Sequence, residues 1–490
     1  MSAPRQEGLP SSRPVLRSYA LPLAAFAGGW ALMMLEILGG RLMAPQYGYS
    51  VYQWGAVIGV VLGFMAAGYW KGGSVGDGPD AIPVLRGVLL AAAAWAALTP
   101  WLGPAALERT APADPQVGSL AGAALLLGVP SFALAMVSPI CAGRIAAAGR
   151  ASAAGRVYAV GTLGSIGGTF FAAFFAIPTI GVSAGYAVAA AVLAAACALV
   201  PGGRAYAAGA LVLALGALGA VHNEGRGFAL YRETPHNTIW VRETTEEVRL
   251  HLNLLWATQS RLRKDGGPTG LYYDVFPAGP ALADGARTLV LGVAGGVGPM
   301  NIRRAWPESD VLGVELDPDV VAVAREKFGL RGVRVAVSDA RRFVAADRET
   351  HDLIVVDLYN GATIPFFTAT REFFALLERK LDRGGVVMMN VASPADHDIL
   401  IGPLAATLKA AFPSVFVSDV GGGNYFLIAT KEERTAAELL ARLDRAPPAA
   451  RDATRRLAWS LVPADTAGQP VLTDDRSDID LRSIIALYGE

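Results

Sequence analysis

Thr288-Leu289-Val290-Leu291-Gly292-Val293-Ala294-Gly295-Gly296-Val297-Gly298 passes from a short apolar run into a glycine-rich turn, and Val311-Leu312-Gly313-Val314-Glu315 follows it after a helix-like interval. Each apolar run is short and rich in branched residues, as a buried parallel strand is. The glycines let backbone approach a bound nucleotide closely where a helix begins, near Pro299. An acidic residue about 20 positions beyond such a loop can accept from ribose hydroxyls, and Glu315 can reach both of them through its two oxygens. Strand, glycine loop, helix, strand and acid together predict a nucleotide-binding βαβ unit. The plainer alternative is a tight turn with a surface glutamate.

The pattern continues outward from this unit. A helix is expected over 319–328, with further strands at 333–337, 353–356, 386–390 and 415–417, completing a doubly wound, Rossmann-like sheet of the kind found in S-adenosylmethionine-dependent methyltransferases. Asp339-Ala340 follows the third of these strands and is placed to receive an adenine amino group; Asp357 follows the fourth and would stand beside the reacting centre. Upstream, Asn237-Thr238-Ile239-Trp240-Val241 and Val248-Arg249-Leu250-His251-Leu252-Asn253 alternate as the two strands of a hairpin, with a linker over 264–270.

The N-terminal part has a different composition. The whole chain of 490 residues is 53% hydrophobic and 17% charged, against about 25% charged in ordinary soluble domains. The deficit lies between Tyr19 and Ala220. A helix needs about 20 apolar residues to cross a bilayer, and about seven stretches qualify: 18–38, 51–70, 82–103, 118–140, 157–178, 183–200 and 204–221. The first follows Arg5, Arg13 and Arg17 without a small-residue cleavage site and reads as an uncleaved span. Gly161, Gly164, Gly167 and Gly168 suit close helix packing. Glu36 sits inside the first span, where an unpaired carboxylate costs about 3 kcal/mol, so it is expected to face the interior and find a donor such as Arg41 or an arginine from another helix; a ligand or transport role is the alternative.

The fold class expected is therefore multi-domain: an all-α polytopic membrane bundle over 1–222, a β-hairpin subdomain and linker over 223–285, and an α/β Rossmann-like domain over 286–490. Net charge is zero and no basic block occurs, which excludes a nucleic-acid-binding reading. Cys141 and Cys197 both lie in apolar segments, offering neither a disulfide framework nor a zinc site, and no metal is called for. The arginine distribution favours an internal N-terminus, which with seven spans would put the soluble domain outside. A cytosolic nucleotide requires the opposite, and a plasma-membrane protein with a cytoplasmic domain is the expectation.

As a set, these residues resemble the spermidine synthase-like aminopropyltransferases, in particular bacterial forms fused to a membrane domain. The likeness runs through Thr234-Pro235-His236-Asn237-Thr238-Ile239, Gln259-Ser260, Tyr272-Tyr273-Asp274, Glu315-Leu316-Asp317-Pro318, Ser338-Asp339-Ala340, Asp352 to Asp357, and Leu472-Thr473-Asp474-Asp475. In the membrane half it includes Glu36 to Arg41, Trp54, Gly72-Gly73 and Tyr158 to Ser165. The resemblance implies that decarboxylated S-adenosylmethionine, or S-adenosylmethionine itself, is held by Gly292, Gly295, Gly296, Glu315, Asp339, Ala340 and Gln259. An amine, a polyamine or another small amine, would attack the aminopropyl carbon and release methylthioadenosine. Two family acids are changed here: the loop acid aligns with Gly295, and the acid that helps deprotonate the amine aligns with Asn360, an amide that is no base at neutral pH. Asp357, Asp274 and the Asp474-Asp475 pair are the acids left to serve the acceptor, with Tyr272 and Tyr273 as pocket wall or core. A methyltransferase, intramolecular cleavage of the sulfonium, and a non-catalytic transporter or sensor remain as alternatives. The partners expected are the lipid bilayer and the amine, with a homodimer left open.

Overall fold

The computed structural model describes residues 13–47, 51–110, 115–147, 151–203, 209, 227–393 and 398–488. The chain divides into two compact units, a helical one within residues 1–224 and an α/β one from Gly225 onward.

The helical unit contains α1 (Arg13–Tyr47), α2 (Val51–Gly76), α3 (Ala81–Thr110), α4 (Pro115–Ala123), α5 (Val129–Ala147), α6 (Ala151–Phe171) and α7 (Ile177–Leu199). Wide π turns at Ala124–Gly128 and Ala172–Ala176 join α4 to α5 and α6 to α7. Glycine brings α1 and α6 into backbone contact. A Cβ on Gly29 would lie 2.2 Å from the Gly161 carbonyl oxygen, and one on Gly164 or Gly168 would lie 2.1 or 2.0 Å from the carbonyls of Phe26 and Trp30. Such close approach is how apolar helices gain packing energy where the surroundings are as apolar as the helices themselves.

Among the described residues, five helical stretches are long and apolar enough to cross a membrane, so the expected count of seven is not confirmed. The fifth and sixth expected spans fall in one stretch, Ala154–Leu199. Its 46 residues would run about 69 Å as a straight helix, over twice the hydrocarbon thickness. The stretch is broken at Gly181, which takes φ 80° and ψ 175°. The seventh expected span lies almost wholly outside the described residues.

The α/β unit opens with a four-stranded antiparallel sheet in the order β1 (Leu230–Glu233), β2 (Thr238–Glu243), β3 (Glu247–Leu252), β4 (Ser260–Arg263). The hairpin expected from sequence is its centre. Its outer strands have four residues each and carry arginines, too short to show a period of two.

The main sheet comprises β5 (Arg287–Leu291), β6 (Asp310–Glu315), β7 (Arg334–Val337), β8 (His351–Val356), β9 (Leu381–Ala392), β10 (Ser414–Asp419), β11 (Asn424–Thr430) and β12 (Val462–Pro463). Their order is β12-β10-β11-β9-β8-β5-β6-β7. β5 to β9 pair in parallel, while β10 to β12 pair antiparallel. Alternate residues feed opposite layers: Val290 and Val355 join one core, and Leu289, Leu291, Ile354 and Val356 the other. This is the α/β Rossmann-like arrangement expected. Chain order reverses between β5 and β8, so the ends of these strands open a crevice where such sheets hold ligands.

Candidate functional site

The glycine loop leaves β5 against β8. Gly292 takes φ 90°, and a Cβ there would lie 2.0 Å from the Asp357 carbonyl oxygen, so only glycine fits. Ala294 also takes a positive φ, 48°, a strained conformation for a residue with a side chain. The turn aims the N–H groups of Val293 and Ala294 at Glu315 Oε2, at 3.2 and 3.0 Å. Gly296, at φ 77°, starts α9 (Val297–Ala305; α8 is Gly279–Leu282).

Glu315 is 9% exposed. Its Oε1 accepts from the Asp317 N–H at 3.2 Å. Burial pushes its pKa up, against the pull of the three backbone donors. Those donors use three of roughly four acceptor positions on a carboxylate. While the loop keeps this shape, Glu315 has room for one ribose hydroxyl rather than the two that its oxygens alone suggest.

Asp357 follows β8 directly. Tyr272 donates to its Oδ2 at 2.9 Å and Asn390 Nδ2 to its Oδ1 at 2.9 Å. Asn390, at the end of β9, is itself aligned by Asn424, which donates to Asn390 Oδ1 at 3.0 Å. Burial pushes Asp357 up to about 6, with Asn390 and Tyr272 pulling the other way. The Tyr272 hydroxyl, buried beside this carboxyl, is driven well above 10 and stays a donor. A carboxylate poised near neutrality at the strand switch is a proton acceptor in working range.

Asn360 occupies a tight turn, its backbone N–H donating to the Thr363 carbonyl and its own carbonyl accepting from the Thr363 N–H. Its Oδ1 accepts from Asn253 Nδ2 at 3.4 Å. Asn253 Nδ2 also donates to Asn237 Oδ1 at 2.9 Å, and Asn237 Nδ2 donates to Asp317 Oδ2 at 2.9 Å. Thr234 adds a 2.5 Å donation to the same Asp317 oxygen. A chain of side-chain hydrogen bonds thus links Asn360 to fully buried Asp317, whose N–H binds Glu315.

Gly295 is sealed from the crevice. Its N–H donates to Ser260 Oγ at 2.9 Å, and a Cβ would lie 2.7 Å from Ser260 Cβ and 3.0 Å from the Phe328 ring. Gln259 spans from β3 toward the Asn360 turn, accepting from the Leu252 N–H at 2.8 Å and reaching the Gly361 carbonyl at 3.5 Å. Asp339 caps α11 (Ala340–Ala346; α10 is Pro318–Lys327) by accepting from the Arg342 N–H, and Ala340 is buried beneath it.

The structure separates Tyr272 from its neighbours. Tyr273 turns into the core, where its hydroxyl accepts from the Arg261 N–H and donates to the Arg261 carbonyl. Asp274 closes the preceding loop, accepting from Thr269 Oγ1 and the Gly270 N–H. Asp474 forms a bidentate pair with Arg341, 2.7 Å on one side, and accepts from Thr370 at 2.7 Å; Asp475 is exposed. Neither of these two makes a hydrogen bond to Asp357 or Glu315.

Sequence reading passed over Ser260, Asn253, Asn390 and Asn424 as site residues. A faint signal existed for two of them. Asn253 and Asn390 each end an apolar strand with a polar side chain, and Asn253 takes φ 62°.

Residues 283–420 match the spermine/spermidine synthase domain. This part of the chain is similar to the spermidine synthase-like family. The chain is 34% identical over 212 residues to a probable polyamine aminopropyl transferase of Bifidobacterium longum, covering 43% of this chain and 46% of that protein. It is 31% identical over 135 residues to a polyamine aminopropyltransferase of Vibrio vulnificus, covering 26% and 43%. The chain thus spans less than half the length of these curated relatives. Among solved structures, a probable spermidine synthase from Corynebacterium glutamicum aligns with a TM-score of 0.41 at 20% identity, over 51% of this chain and 98% of that one. The spermidine synthase-like match covers the glycine loop, Glu315, Asp339, Asp357, Asn360 and Asn390; Tyr272, Asn253 and Asn424 lie outside it.

Proposed function

We propose that the chain is a membrane-anchored aminopropyltransferase-like enzyme that takes the aminopropyl group of decarboxylated S-adenosylmethionine and passes it to a small amine. The observation that carries this reading is Asp357. It is a carboxyl near neutrality, oriented by Tyr272 and Asn390, at the crevice that Glu315 and the glycine loop also border.

In this reading the adenosine lies over the loop, with a ribose hydroxyl on Glu315 and the adenine near Asp339. The amine nitrogen attacks the aminopropyl carbon attached to sulfur. The carbon–sulfur bond breaks with its electron pair going to sulfur, giving neutral methylthioadenosine. The nitrogen loses a proton to Asp357, the carboxylate that remains where Asn360 replaces the second family acid. Gly295 and Asn360 remove negative charge from the acceptor's surroundings, which favours an amine carrying fewer positive charges than a diamine bound between acids.

The helical unit is proposed to cross the membrane, with the α/β unit on the cytoplasmic side where the nucleotide is made. Engineered cysteines labelled from either face test this; labelling of the α/β unit only from outside would overturn it.

Purified full-length protein is incubated with S-adenosylmethionine or its decarboxylated form, with and without a polyamine panel, and the adenosyl product is identified by mass. Amine-dependent methylthioadenosine from the decarboxylated donor is expected. S-adenosylhomocysteine, amine-independent cleavage, or binding without product would overturn the proposal.

A further inference from the structure

We infer that Glu36 is the anionic centre of a second binding site, inside the helical unit, for the ammonium head of an alkylamine. Glu36 lies in the interior of α1 and is 9% exposed. It makes no hydrogen bond or ion pair to any described residue. The expected pairing with Arg41 is not formed. An ionisable side chain at that depth is retained against a cost of about 3 kcal/mol when it has a task, and its charge calls for a counter-charge.

The surroundings of Glu36 favour an organic cation. At about 100° per residue, Gly29 and Gly40 lie within about 40° of Glu36 on the helix face, and Gly39 about 60° to the other side. Each glycine marks a close neighbour. A Cβ on Gly29 would lie 2.2 Å from the Gly161 carbonyl oxygen, one on Gly39 would lie 2.6 Å from Leu127, and one on Gly40 would lie 3.2 Å from the Trp54 indole. Glu36 therefore faces the seam between α6, α2 and the π turn that contains Leu127; such turns widen a helix and recur at binding sites. Gln53, fully buried, donates to the Gly40 carbonyl at 2.8 Å and fixes α2, and with it Trp54, one turn from the carboxylate. A carboxylate in an apolar wall, with an indole packed one turn along the same face of α1, suits an alkylammonium, whose charge pairs with the acid and whose methylenes lie along the wall. A divalent metal would need more oxygen ligands, and no cluster of three His, Cys, Asp or Glu exists among the described residues.

The choice of an amine as ligand rests on the function proposed for the α/β unit; the site itself does not. Equilibrium binding of radiolabelled spermidine to full-length protein in detergent is the test, with Glu36→Gln, Asp357→Asn and the double variant. Wild type is expected to bind spermidine at the site in the helical unit. Glu36→Gln should weaken that binding about 100-fold and Asp357→Asn should spare it. A Glu36-dependent site in the Asp357→Asn protein supports the inference whether or not the enzyme turns over. A hydrophobic carbodiimide, which modifies carboxyls in apolar surroundings, gives a second readout on the unmutated protein: spermidine should slow labelling of Glu36. Unchanged binding in Glu36→Gln, or labelling of Glu36 indifferent to spermidine, would overturn it.

Discussion

Tyr272 and Asp357, 85 residues apart in sequence, share a 2.9 Å hydrogen bond that joins the loop before the main sheet to the tip of β8. The bond favours the charged carboxylate, so it opposes the burial that lifts Asp357 to about 6. Replacing the hydroxyl removes that opposition. In Tyr272→Phe the acid limb of kcat/KM, set near pH 6 in wild type by the need for ionised Asp357, should move up by about one unit. A pH–rate profile checks it, and an unmoved limb would remove Asp357 from the role of proton acceptor.

The same carboxyl has a consequence for stability. Its folded pKa lies above the ordinary 3.8, so the folded state binds the proton more tightly than the unfolded chain. The stability this confers is complete below pH 3.8 and is lost as pH rises to about 6, leaving ionised Asp357 destabilising at neutral pH. Asp357→Asn keeps the bond from Asn390 while the Tyr272 hydroxyl turns to accept. The variant should be inactive yet more stable by about 1–3 kcal/mol near pH 8, with the gain vanishing near pH 4. Denaturant unfolding at both pH values measures this, and a loss of stability near pH 8 would contradict the buried-charge account.

What the sequence made legible follows from which interactions are local. Leu289 and Leu291 alternate with Val290 within one strand, and Glu315 follows the glycine loop at the spacing of one βαβ unit. The contact between Asn253 and Asn360 spans 107 residues and has no periodicity to announce it. Nor does spacing reveal that Ser260 fills the space beside Gly295, because that depends on how β4 lies against the loop. In the sequence Asp274 is one of the few acids left to serve the acceptor once Gly295 and Asn360 replace the family acids. Its carboxylate is engaged by the loop's own Thr269 and Gly270. The span count was obscured where apolar helix runs on through Ala172–Ala176 to the break at Gly181.

Glu315→Gln tests the nucleotide site. The two N–H groups of Val293 and Ala294 converge on one oxygen and the Asp317 N–H on the other. An amide presents one acceptor oxygen and one donor nitrogen, so at least one backbone donor faces an N–H₂ group, and the strained Ala294 turn loses part of its support. Affinity for methylthioadenosine should fall about 100-fold, at about 1.5–3 kcal/mol for a hydrogen bond to a charged group. Calorimetric titration of the full-length protein measures it. Wild-type affinity in this variant would show that Glu315 braces the loop without touching ligand.

Restoring the two missing acids should have opposite outcomes. At Asn360 an aspartate is isosteric, and its oxygen can still accept from Asn253 Nδ2, now as a charge-assisted bond. At Gly295 a Cβ alone would sit 2.7 Å from Ser260 Cβ and 3.0 Å from Phe328, so a carboxylate there must push β4 or α10 aside in a packed interior. Asn360→Asp is expected to fold normally and raise turnover of diamines by about tenfold or more, the range of a positioned base. Gly295→Asp should lose about 2 kcal/mol or more of stability and gain no activity, and adding Ser260→Gly should recover part of the loss. Diamine kinetics and melting curves on the four proteins separate these outcomes. A gain in diamine turnover from Gly295→Asp alone would mean that the loop opens in solution and that the seal by Ser260 is not what excludes the acid.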